Sequence, residues 1–221
     1  MITTRALRRT ITFAAAIVLA CTAVAEPSDP ATRVDLRSDQ TWMEYLGQVL
    51  NPSPTQSNQF GYLTFLRGID DIFSSPSVRD ASTARFTFFN ETTTLSVVNQ
   101  GPLRIVTREG TTTIYVQTTP SDFAYPDSFR VGIPIQTSHL RHVVVINTTS
   151  NAFTTYFENE VTDVTPVDFD GTLLSLGRVG DVFKTTVLGQ IPAPVPPNGW
   201  IAGFATGVVR PAHPVQPIAP Q

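Results

Sequence analysis

The sequence predicts an all-β fold, an antiparallel meander closed into a β-barrel, with one short N-terminal helix. A two-sheet β-sandwich is the alternative. Three observations point there. From Phe60 onward apolar and polar residues alternate with a period of two, which sends successive side chains to opposite faces of a strand. Threonine is abundant and occurs in runs with Val, Ile and Phe, a mixture suited to a pleated surface that is apolar on one side and wet on the other. The runs are joined mainly by short turns, without the helical crossovers that parallel strands need. A meander must hide its edges, and closure into a barrel does so.

Residues 1–25 predict an address. Arg5, Arg8 and Arg9 precede an uncharged apolar run over 11–20, and Ala23-Val24-Ala25 follows as a small-residue cleavage site. That order is the pattern of a secretory signal peptide. The apolar run is too short to span a bilayer, which takes ~20 apolar residues, so no transmembrane segment is expected. The mature chain would begin at Glu26 and be secreted or periplasmic. Val18-Leu19-Ala20-Cys21 resembles a lipobox, and cleavage before Cys21 would instead give a lipid-anchored protein. Val18 and Leu19 stand where that pattern has leucine and a small residue, so the soluble product is the expectation.

Composition narrows the classes further. Removing the signal leaves a chain of one-domain length, with room for a single core. The only cysteine leaves with it, and so do disulfides, a thiol nucleophile and cysteine metal sites. Losing three arginines takes the formal net charge from −3 to −6. A mildly acidic chain with scattered arginines lacks the basic face that nucleic acid requires.

Residues 26–58 read as a polar lead-in containing the helix. Over 38–50, Trp42, Tyr45, Leu46, Val49 and Leu50 recur at three- and four-residue intervals, and Asn51-Pro52-Ser53-Pro54 stops the run. Residues 59–209 read as the barrel domain. Strands are expected at 60–66 and 84–89, then at 95–98 after a turn over 90–93. Glu109-Gly110 is read as a hairpin turn between strands 103–108 and 111–118. A weaker strand covers 129–135. The clearest hairpin joins 140–148 to 153–164, with Val143, Val145, Phe153 and Phe157 as its buried positions. Strands at 173–176, 183–191 and 200–209 follow. Residues 192–197 form a proline-rich loop, and 210–221 a disordered proline-rich tail.

Recognisable chemistry is sparse. The chain has no G-x-S-x-G, no H-E-x-x-H, and no glycine-rich phosphate or dinucleotide loop. His139 and His142 are three apart on an expected strand, an odd spacing that allows only one to face the interior. Asp168-Phe169-Asp170-Gly171 resembles a fragment of a calcium loop. Val179 stands where the twelfth-position glutamate belongs, and loop aspartates commonly cap turns. No metal site and no cofactor are therefore expected.

Strand aromatics give the leading functional reading: a barrel that holds a small apolar or amphipathic ligand. Phe86, Phe88, Tyr115, His142 and Phe157 are the candidate lining residues. Two alternatives stand beside it. One is a barrel enzyme of cyclase or isomerase type, with Asp70, Asp71 or His142 as an acid at the mouth. The other is a structural or surface protein whose barrel is solid. The sequence leaves the oligomeric state open.

Overall fold

Inward and outward side chains alternate along eight strands, and the strands close on themselves. The structure is a computed structural model that describes residues 32–33, 40–191 and 198–209. The expected signal peptide and Cys21, the 192–197 loop and the 210–221 tail lie outside the described residues.

The strands are β1 Thr32–Arg33, β2 Thr41–Ser53, β3 Gln56–Leu66, β4 Phe86–Gln100, β5 Leu103–Val116, β6 Ile133–Asn147, β7 Ala152–Val164, β8 Val167–Phe169, β9 Thr172–Ser175, β10 Val182–Gln190 and β11 Gly199–Val209. The barrel order is β10-β11-β2-β3-β4-β5-β6-β7, every neighbour is antiparallel, and β7 pairs with β10 to complete the ring. Closure leaves no open edge among these strands. The barrel expected from the alternating pattern is the observed architecture.

The remaining strands form a small sheet, β1-β9-β8. Phe169, Leu174 and Leu176 of this unit join the barrel's own core cluster. Phe169 lies 4.8 Å from Phe86, the first residue of β4, and Gln136 Nε2 donates to the Leu176 carbonyl (2.7 Å). The small sheet therefore caps the end of the barrel where β4 begins. Asp170-Gly171 is its two-residue turn, with φ of 54° and 79°, and Gly171 N donates to Asp168 Oδ1 (2.8 Å). Positive φ at both central residues is what an Asp-Gly hairpin turn uses. Asp170 also pairs both carboxylate oxygens with Arg85 at 2.6 Å, so the calcium-like fragment is a turn and a clamp.

The expected helix over 38–50 is instead strand β2. Its pairing shifts register between Glu44 and Tyr45, where Glu44 meets Phe65 but Tyr45 meets Leu63. A bulge of this kind shifts the phase of the alternation. Both faces of β2 are also covered: Trp42, Met43 and Tyr45 join the inner core, while Leu46 and Leu50 pack against an outer cluster around Phe60. A two-sided apolar pattern with a phase shift imitates helical spacing. Asn51 and Pro52 belong to the strand, and Pro54-Thr55 is its hairpin turn.

Two expected turns are corrected as well. Residues 90–93 and 109–110 lie within continuous strands β4 and β5, paired Glu91↔Thr111 and Thr92↔Gly110. Gly110 is there because a Cβ would collide with the Glu91 carbonyl oxygen. Residues 129–130, the start of the expected weak strand, belong to a 3-10 turn over Pro126–Arg130, and the strand itself begins at Ile133. The turn's Phe129 packs with Phe60, Phe89 and Phe123 on the outside of the barrel.

Candidate binding cavity

The interior is layered. Next to the capped end, Trp42 meets Phe183 edge-on at 5.0 Å and Tyr45 meets Phe88 at 4.8 Å. Above these rings lies a belt of buried polar side chains. Thr112 Oγ1 donates to Asn159 Oδ1 (3.0 Å), and Asn159 Nδ2 donates to Thr185 Oγ1 (3.3 Å). Asn90 Nδ2 donates to Gln59 Oε1 (3.4 Å), and Gln59 Nε2 donates to Ser57 Oγ (2.8 Å). Asn90 and Thr112 are register partners, so the two halves of the belt meet on adjacent strands.

Above the belt, toward the end opposite the cap, a cavity of about 150 Å³ opens. An apolar protein cavity of about that size admits a benzene ring. Its walls are chiefly apolar: Val144, Phe153, Phe157, Val187 and Ile201 all line it. Polar side chains are set among them, with Asn51, Gln59, Arg108, His142, Thr155 and Asn198 in the lining. A mostly apolar hollow with a few placed polar groups is the usual form of a small-molecule site. A second void of only about 20 Å³ lies beside Tyr45, Phe88 and Phe157, room for one water molecule.

Strand geometry explains how these side chains arrive together. Along β5 the inward positions run Val106, Arg108, Gly110, Thr112 and Ile114, and along β6 they run Leu140, His142, Val144 and Ile146. Arg108 and His142 are direct cross-strand partners, so their side chains leave the sheet side by side. His142 is 1% exposed and lies edge-on to Phe157 at 4.9 Å. Neither of its ring nitrogens has a hydrogen-bond partner among the described residues. Burial, followed by the Arg108 charge, lowers its pKa from 6.5 to about 3, so the imidazole is neutral. Burial, followed by the Arg104 charge, lowers Arg108 to about 10, which still leaves it cationic at neutral pH.

The candidate residues separate by face. His142 and Phe157 line the cavity, and Phe88 borders the small void beneath it. Phe86 lies deeper, against Phe169. Tyr115 is on the outer face, packed with the Phe60 cluster. Asp70 and Asp71 lie on the β3–β4 loop in a surface hollow with Arg79 and Arg85, not at the mouth. Of the two histidines, His142 is inside and His139 is exposed, as the odd spacing requires. Val143 and Val145 are only half-buried and outward; the inward phase of β6 carries His142 and Val144 instead. Phe153 and Phe157 are buried. Arg108 was not among the candidates. Its alternation with Val106 and Ile114 marks it as inward once β5 is read as one strand.

Fold and cavity together define a class: an eight-stranded antiparallel barrel, capped at one end and hollow at the other. Comparison with known proteins finds no match to a family model, to a curated protein or to a solved structure.

Proposed function

We propose that this protein is an exported container whose barrel holds a small amphipathic molecule. The observation that carries this reading is the cavity: a mostly apolar hollow of about 150 Å³ with a few polar groups in its lining, in a barrel whose other end is packed with side chains. A purely structural barrel has no need of such a hollow, because filling it would add packing contacts and stability. The enzyme reading is weaker. A useful general base has a pKa near the working pH. His142, the titratable group most deeply placed in the cavity, accepts a proton only near pH 3.

A thermal-shift screen of the mature chain against short lipids, terpenoids and aromatic metabolites tests the reading. A molecule that binds only the folded state stabilises it by about 2.7 kcal/mol at a concentration of 100 Kd. At least one amphipathic compound should raise the melting temperature in a saturable way. A screen in which no compound does so contradicts the container reading.

A further inference from the structure

Arg108 brings a cationic head to a mostly apolar cavity, with no counter-charge among the described lining residues. Its one hydrogen bond among the described residues runs from Nε to Thr94 Oγ1 (3.2 Å), which leaves both Nη groups without a protein acceptor. Arg85 and Arg130, by contrast, are ion-paired, Arg85 with Asp170 and Arg130 with Glu91 and Asp127. Among the described residues, no aspartate or glutamate lines the cavity. The charge that bears on Arg108 is another cation, Arg104. A half-buried guanidinium in that setting is unfavourable until an anion meets it. Its two free Nη groups form a planar fork that matches both oxygens of a carboxylate.

We propose that the molecule held in the cavity is a small monocarboxylate, with its carboxylate on Arg108 and its apolar body against Phe153, Phe157, Val187 and Ile201. The proposal rests on the container reading and names the chemistry of its occupant. His142 sits next to Arg108 and is neutral, so it can add one N–H donor without adding a second positive charge. One fork and one neutral donor suit a single negative charge better than a doubly charged phosphate. The hollow limits the apolar body to about one ring or a short chain.

Calorimetric titration of the mature protein with benzoate and hexanoate, beside benzyl alcohol, hexanol and phenyl phosphate, tests this. Each carboxylate should bind at least tenfold more tightly than its alcohol. Arg108→Gln should remove that advantage, bringing each acid and its alcohol to similar affinity. The variant should fold with an unliganded melting temperature no lower than the parent's, because it removes an uncompensated charge. If it does not fold, Arg108→Lys keeps the charge but loses the fork, and should narrow the acid-to-alcohol affinity ratio severalfold. Equal affinity for acid and alcohol overturns the proposal while the container reading stands. Tighter binding of phenyl phosphate overturns it in favour of a phosphate ester. Binding of none of the probes overturns the container reading itself.

Discussion

His142 is enclosed by the barrel, and its neutrality follows from that enclosure. An unfolded histidine titrates near 6.5, while this one titrates near 3. Between those values the unfolded chain binds a proton that the folded chain does not. Its contribution to stability is therefore fully present above about pH 6.5 and is lost as the pH falls toward 3. The slope is at most about 1.4 kcal/mol per pH unit. His142→Phe, which keeps a ring against Phe157, should flatten that part of the acid limb in denaturant titrations at pH 4, 5 and 6. An unchanged slope would mean that His142 is charged or solvated in the native state. Phe157 borders both voids, and Phe157→Ala should lower stability by about 3–5 kcal/mol, the usual cost of deleting a buried phenylalanine. A melting temperature equal to the parent's would place that ring outside the core.

At the scale of elements, β4 and β5 pair along nearly their whole lengths, and Gly110 sits mid-strand against β4. A side chain there would press on the Glu91 carbonyl. Gly110→Ala should destabilise by about 1–3 kcal/mol, as overpacking does, read from the denaturation midpoint. A neutral outcome would show that β4 can step aside. The same glycine limited what the sequence could reveal. Glu109-Gly110 has the chemistry of a hairpin turn, and only the long-range pairing with Thr92 shows it to be mid-strand. Reading a turn there cut β5 in two and hid Arg108 from the inward face. β2 was misread for a related reason, since its bulge and its two covered faces come from tertiary packing. Where one face meets the core and the other meets water, as on β7 with Phe153, Thr155 and Phe157 inward, the alternation was legible and the strand lay where expected.

At the scale of the whole molecule, the two ends of the barrel differ. One is plugged by Phe169, Leu174 and Leu176; the other opens on the cavity. Aromatic content alone indicated apolar rings within strands but not which rings would fill and which would line. That division depends on strand phase and on the small sheet, whose β1 and β8 the alternation did not reveal. Far-ultraviolet circular dichroism should show a β-dominated spectrum without the contribution of a helix over 38–50; a helical signal of that size would contradict β2. For the proposed export, mass spectrometry of protein recovered from its source should find Glu26 as the first residue. A lipid-bearing Cys21 would replace the soluble product with an anchored one, and a retained Met1 would overturn export.

The hollow end is most directly tested by filling it. Val187 is buried and lines the cavity, so Val187→Phe would place a ring where an occupant would sit. Calorimetric titration of parent and variant with benzyl alcohol and benzoate should give saturable binding to the parent and at least a tenfold loss in the variant, with both proteins folded. Equal binding to the two would show that the cavity is not the site.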